Sequence, residues 1–229
     1  MNSFVVKILN IKDLTHDVKR FTVQKPQSYP FVPGQSTMLA INKEGLNDKF
    51  HPFTFTSLGE DSNLEFIIKK YPIKDFPDHS GITEKIHELN IGDELIIKDP
   101  IGTIMYKKQG VFLAGGTGIT PFISIFRTLK KKNQLDGNML IFSNKERRDI
   151  ILEEELKKIF DKKNLILTVS RERVKGYEYG RIDDEMINKY IKNFNQYFYI
   201  CGPSIFEKDI IQSLITLGVD NERIVSGGW

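Results

Sequence analysis

The chain has 229 residues, 40% of them apolar, with 33 basic against 30 acidic side chains and a formal net charge of +3. That is long enough for two modest domains, too apolar for a disordered chain, and too evenly charged to carry the electrostatic footprint of a nucleic-acid binder. A single cysteine, Cys201, excludes an internal disulfide, a cysteine-ligated iron–sulfur cluster and a multi-cysteine zinc site. The four histidines, His16, His51, His79 and His87, lack metal-ligand spacing, so no metal is assigned. No basic segment followed by a long apolar one opens the chain, and no apolar run is long enough to span a membrane. The protein is therefore expected to be cytoplasmic, without membrane or nucleic-acid partners, and any redox chemistry needs an organic cofactor or a partner.

From Phe4 to about Met105 apolar residues recur with period two or in short runs, punctuated by Pro and Gly. Phe4–Ile11, Val18–Val23, Ser36–Ile41, Phe53–Thr56, Leu64–Lys69 and Glu94–Lys98 read as six strands. Many short strands with turn signals between them predict a closed antiparallel six-stranded β-barrel, which leaves no free edge to protect. One helix interrupts them: the segment Gly81 to Leu89 sets Ile82, Ile86 and Leu89 on one face, and Gly92 stops it.

Beyond Tyr106-Lys107-Lys108 strands alternate with helices. Strand 110–114 leads to helix 120–132, and strand Met139–Phe142 to helix Ile150–Phe160. Strand Leu165–Val169 leads to helix Asp184–Ile191 and strand Tyr197–Ile200 to helix Ser204–Leu217, with Arg223–Val225 a last strand. This predicts right-handed βαβ units and an open, five-stranded parallel α/β sheet, with a domain boundary near residue 107: a barrel over 1–107 and a nucleotide domain over 108–229.

The first of these units carries the strongest local motif. After the apolar run Gly110 to Ala114 come Gly115, Gly116 and Gly118, then Thr120 as a candidate N-cap and Pro121 as the first helical residue. Strand, glycine turn and helix aim backbone N–H groups at whatever sits above the strand end, and glycines admit a phosphate or a flat ring close to the backbone. The pattern G-x-G-x-x-P lacks the third glycine of the dinucleotide fingerprint and the Lys-Ser/Thr ending of a P-loop, so a tight turn without a ligand stays open. In an open sheet ligands bind beyond the carboxyl ends of the strands. There the chain offers Ser143-Asn144, Ser170-Arg171-Glu172-Arg173 and Cys201-Gly202-Pro203, small, polar or basic residues suited to an anionic dinucleotide. None of them is the acid that usually grips an adenosine ribose.

Four motifs in order, His51-Pro52-Phe53-Thr54, Gly81-Ile82-Thr83, Gly116-Thr117-Gly118-Ile119-Thr120-Pro121 and Cys201-Gly202-Pro203, give a chain that resembles the ferredoxin–NADP reductase superfamily over nearly its whole length. The resemblance implies a flavin-binding barrel followed by a nicotinamide-nucleotide domain, with FAD as cofactor and NADPH, or NADH, as substrate. His51-Pro52-Phe53-Thr54 stands where the family carries Arg-x-Tyr-Ser/Thr. Phe53 is then expected to pack on the isoalloxazine and Thr54 to hydrogen-bond it near N5; the alternative for Phe53 is a barrel core residue. Gly81, Ile82 and Thr83 stand where the flavin-pyrophosphate helix begins, or form an ordinary cap.

His51 departs from the family arginine, since histidine is only partly protonated near neutrality, and flavin affinity is expected to weaken as pH rises through its titration. Lys69 and Lys70, which follow Ile68 at a strand end, are candidate substitutes for that charge, or exposed lysines. Cys201, or a merely packed cysteine, stands where the family sets a thiol beside the nicotinamide C4; no adjacent base makes it a nucleophile. Ser170 and Arg171 resemble the pair that holds a 2′-phosphate in NADP-dependent members, with surface charge as the alternative. Trp229 is either a flavin-stacking terminal aromatic or a surface tail.

With Thr54 and Cys201 as the catalytic pair, the implied function is hydride transfer from NAD(P)H to FAD and onward passage of electrons to a separate carrier such as flavodoxin or ferredoxin, by a protein expected to be a monomer. The alternatives are a free-flavin or ferric reductase and, from another class, a non-catalytic flavin- or nucleotide-binding subunit of an oxidoreductase complex.

Overall fold

The computed structural model describes residues 2–102 and 104–227, and the chain divides into two compact units, Met1–Gly102 and Thr103–Trp229. The first unit is a six-stranded antiparallel sheet of β1 (Ser3–Asp13), β2 (Val18–Gln24), β3 (Ser36–Ile41), β4 (His51–Thr54), β5 (Asn63–Lys69) and β6 (Glu94–Lys98), in the order β4-β3-β6-β1-β2-β5. Alternation decides its core: Val6 and Ile8, Phe21 and Val23, Leu39 and Ile41, Leu64, Phe66 and Ile68, Leu95 and Ile97 all point inward and are buried. Helix α1 (Ile82–His87) closes on the same core through Ile82 and Ile86, with Leu89 just beyond it. The sheet curls until its two edge strands meet at one bridge, Phe55 to Phe66, backed by the Thr56 N–H donating to Glu65 O at 2.9 Å. It is thus a nearly closed barrel with a seam between β4 and β5. Pro52 lies on β4, an edge strand, where a missing N–H leaves no ladder bond unmade.

The second unit holds a parallel sheet of β7 (Gly110–Gly115), β8 (Met139–Asn144), β9 (Leu165–Val169), β10 (Glu178–Tyr179), β11 (Tyr197–Cys201) and β12 (Ile224–Ser226), ordered β10-β9-β8-β7-β11-β12. Helices α2 (Thr120–Lys131), α3 (Glu153–Ile159), α4 (Asp184–Tyr190) and α5 (Ser204–Thr216) alternate with the strands. Both sheet faces are buried, as near-continuous apolar strands require. Val111, Leu113, Ile141, Phe198 and Ile200 pack on Met186 and Ile187 of α4 and Ile210 and Leu214 of α5. On the opposite face Phe112 meets Phe122 and Phe126 of α2 at ring separations of 5.0 and 4.7 Å, and stacks on Tyr199 at 4.4 Å.

Three local expectations are corrected. The sheet has six strands, not five, because the two-residue β10 adds to the edge of β9, too short to leave a periodic signal. Helix α3 starts at Glu153 rather than Ile150, because residues 147–149 form a separate turn capped reciprocally by Glu146 and Asp149, and Leu152 adopts φ 55°. Thr120 does not cap α2: a 3-10 turn over Gly116–Ile119 precedes it, and its hydroxyl donates to Thr117 O at 3.0 Å.

Candidate functional site

In the first unit the residues expected to hold flavin gather along the seam. Continuing the register of the Phe55–Phe66 bridge sets His51–Thr54 level with residues 67–70, and among the described residues no ladder joins these two facing edges. Open strand edges carry unpaired backbone donors and acceptors, which a planar heterocycle can use. Phe53 and Thr54 are half-buried; Phe53 packs in part against the barrel core, and the Thr54 and Ser36 hydroxyls bond each other at 3.1 Å. Burial lowers the pKa of His51 below its ordinary value, so the imidazole is more nearly neutral at physiological pH than an exposed one.

The proposed substitute cations are already paired. Lys69 bonds Asp17, whose carboxyl is raised by burial but carried below its usual range by Lys69, Thr15 and His16. Lys70 lies 3.8 Å from Glu84. Ile68 is buried, and its carbonyl meets His87 Nε2 at 2.8 Å. Gly81, at φ 73°, leads into α1; Ile82 is buried, and the Thr83 hydroxyl accepts from the Tyr71 N–H at 3.1 Å. Strand end, α1 and β4 thus line one side of the barrel.

In the second unit the strand order reverses at β7, with β8, β9 and β10 in succession on one side of it and β11 and β12 on the other. A doubly wound sheet opens its ligand crevice at this switch point. There the glycine turn and the Cys-Gly-Pro turn interlock: Ala114 pairs with Cys201, and a Cβ on Gly118 would lie 2.0 Å from Cys201 O and 2.6 Å from Gly202 N. Gly118 is therefore glycine for packing. Gly116 differs, with φ 54° and nothing within 4 Å of its would-be Cβ, so open space lies over it; Thr117 beside it is half-buried. Pro121 is buried within the first turn of α2.

Cys201 is 7% exposed, and burial, then the charge of Glu207, pushes its thiol up to about 12. It is a neutral thiol at physiological pH, unsuited to nucleophilic work. Glu207, on the first turn of α5, accepts from the Gly202 N–H at 3.1 Å and so braces the Gly202-Pro203 turn. After β9, Ser170 N donates to Asn144 O at 3.1 Å and Arg171 N to Lys145 O at 2.9 Å, which ties that loop to the end of β8. Ser170 is half-buried, Arg171 is exposed, and Arg173 stacks on Tyr179 at 4.2 Å. Trp229 lies outside the described residues.

Sequence reasoning missed three features here. Glu207 carried only the signal of lying shortly after Cys-Gly-Pro. The Arg147, Glu153, Lys157 and Tyr177 cluster, in which Glu153 bonds both Lys157 and Tyr177, is assembled by the fold with no spacing to announce it. Asn144 stood among the strand-end residues, but its unpaired amide is a property of the folded state.

Residues 3–92 match the family model described as FAD-binding domain, and residues 112–212 the one described as oxidoreductase NAD-binding domain. Fold and domain pair together define a two-domain FAD- and NAD(P)-binding flavoprotein reductase. NADH-cytochrome b5 reductase 3 of Rattus norvegicus is 26% identical over 235 residues, covering 87% of this chain and 78% of that protein. The ferredoxin–NAD(P)(+) reductase component of the naphthalene 1,2-dioxygenase system of Pseudomonas putida is 25% identical over 231 residues, covering 97% of this chain and 67% of that one. A Neisseria gonorrhoeae ferredoxin NADP+ reductase, solved with bound FAD and NADP, shares the fold at TM-score 0.83 and 20% identity, covering 98% and 97% of the two chains. The chain thus carries an FAD-binding domain and an oxidoreductase NAD-binding domain, and it resembles cytochrome b5 reductases in sequence and a ferredoxin NADP+ reductase in fold.

Proposed function

We propose that the chain takes hydride from NADPH, and less readily from NADH, onto FAD and delivers the electrons to a separate one-electron carrier protein. The observation that carries this reading is the switch point of the second unit, where an open glycine turn and a neutral, buried Cys201 stand together at the strand ends. FAD, when bound, accepts hydride at N5 and releases electrons onward. The flavin domain takes residues 1–107, the nucleotide domain 108–229.

Thr54 donates to the flavin edge, with Ser36 fixing its hydroxyl, while Phe53 lends a flat face and His51 a partial charge near the phosphates. Gly81, Ile82 and Thr83 receive the pyrophosphate. On the nucleotide side Gly116, Thr117 and Gly118 lie under the dinucleotide, Cys201 orients the nicotinamide, and Arg171 holds a 2′-phosphate through its exposed guanidinium. The site residues fit both groups: an unladdered seam with a half-buried aromatic for the flavin, and a bare glycine turn for the phosphates.

The relatives by name support a b5-type haem protein as acceptor, with a ferredoxin second. The test is steady-state oxidation of NADPH by the FAD-loaded protein with cytochrome b5, ferredoxin, flavodoxin, ferric iron or free flavin as acceptor. Protein acceptors are expected to turn over fastest. Preference for ferric iron or free flavin would replace the carrier reading, and oxidation with none would leave a non-catalytic subunit.

A further inference from the structure

Beyond β11 the chain turns through Cys201-Gly202-Pro203 into α5, and one carboxylate closes that turn from the helix. Glu207, in the first turn of α5, donates its N–H to Pro203 O at 3.0 Å, while its Oε1 accepts from the Gly202 N–H at 3.1 Å. An acid near a helix start ordinarily reaches back to the N–H of the capping residue. Here that residue is Pro203, which has none, so the carboxylate reaches one residue further, to the amide next to Cys201. Phe206 fixes the direction of this reach. Its ring lies against the bare backbones of Gly115 and Gly202, where a Cβ would stand 3.2 and 2.5 Å from it, so the start of α5 is seated on the end of β7 and on the turn after β11. The arrangement sets one half-buried negative charge beside Cys201, and the thiol feels it.

We propose that Glu207 is a positioning residue for hydride transfer: through Gly202 it sets the Cys201 turn, and its charge favours a nicotinamide that becomes cationic as the hydride leaves. The inference rests on the reading that nicotinamide reaches Cys201. The C–H electron pair leaves C4 with the hydride for flavin N5, so the flavin is reduced and the nicotinamide ring is left cationic. A fixed negative charge in a half-buried site acts on that ring more strongly than it would in water, and it needs no rearrangement during the step. A carboxylate that served only to cap α5 would stabilise the turn equally well as a neutral amide, which also offers an oxygen to the Gly202 N–H. Bond and charge are therefore separable by substitution.

The experiment compares the FAD-loaded full chain as wild type, Glu207→Gln and Glu207→Leu. Glutamine keeps the acceptor for Gly202 and removes the charge, whereas leucine removes both. Anaerobic stopped flow with NADPH and with NADH is expected to show a flavin-reduction rate constant about tenfold lower in Glu207→Gln. Its melting temperature, and its calorimetric affinity for ADP, which lacks the nicotinamide, are expected to match the wild type. Glu207→Leu is expected to reduce flavin more slowly still and to melt lower, because the Gly202 N–H loses this acceptor. Reduction of Glu207→Gln at the wild-type rate overturns the proposal and leaves Glu207 a helix cap. A loss of ADP affinity that matches the loss of rate also overturns it, since the substitution then disturbs the whole crevice. If neither nucleotide reduces the wild type, the nucleotide reading itself fails and takes the proposal with it.

Discussion

Gly118→Ala is the sharpest perturbation of the interlocked turns. Its Cβ would stand 2.0 Å from Cys201 O, 2.3 Å from Cys201 C and 2.6 Å from Gly202 N, all backbone atoms with no flexible side chain to move aside. Real Cβ atoms essentially never approach below 3.0 Å, so the two turns must part by about 1 Å against close packing. Overpacking of this kind costs about 1–3 kcal/mol, and a clash with backbone on both sides belongs at the upper end. For a unit of this size about 3 kcal/mol lowers the melting temperature on the order of 10 °C. Gly116→Ala is the control: its Cβ meets nothing within 4 Å, but φ 54° costs an alanine about 1 kcal/mol. Differential scanning calorimetry of both variants, alongside nucleotide affinity, reads the difference. Gly118→Ala should be the less stable by a wide margin and should also weaken the nucleotide, since Cys201 moves with the turn. If Gly118→Ala melts no lower than Gly116→Ala, the interlocking is not as described.

Other outcomes follow from the charged and titrating groups. Arg171→Ala should raise the Michaelis constant for NADPH at least about tenfold, the worth of a charge-assisted contact, and leave that for NADH nearly unchanged; equal effects would remove the 2′-phosphate role. Burial lowers the pKa of His87, against the opposing pull of the Ile68 carbonyl, and that of His51. The unfolded chain therefore binds protons first as pH falls, so stability is full above about 6.5 and declines below it; a urea midpoint that stays level from pH 7.5 to 5 would contradict this. The same burial moves any flavin dependence on His51 charge to pH below about 6.5. Cys201, pushed up to about 12, carries so little thiolate that iodoacetamide at pH 8 should label the native protein on the order of 10³-fold more slowly than the unfolded chain. Labelling at comparable rates would make the thiol reactive and reopen a covalent role.

The strands were legible because burial writes itself into sequence with period two. Ser36–Ile41, Glu94–Lys98 and Leu165–Val169 fall where the pattern sets them, since each alternates or runs apolar between clear turn residues. The glycine turn was legible for the same local reason, yet the separate tasks of its glycines were not. Only the meeting of β7 with β11 shows that Gly118 makes room for Cys201 while Gly116 faces outward. Thr120 failed as a cap because tertiary packing continued the chain into a 3-10 turn, which no single-residue preference foretells. The pairing of Lys69 with Asp17 and Lys70 with Glu84 depends on distant segments brought side by side, as does the unpaired amide of Asn144.

The most direct test of the account is anaerobic stopped-flow absorbance of the FAD-loaded protein mixed separately with NADPH and NADH. The account predicts bleaching of the oxidised flavin band near ~450 nm with both, faster with NADPH. Flavin that stays oxidised in the presence of either nucleotide, while remaining bound, would contradict hydride transfer and with it the reductase.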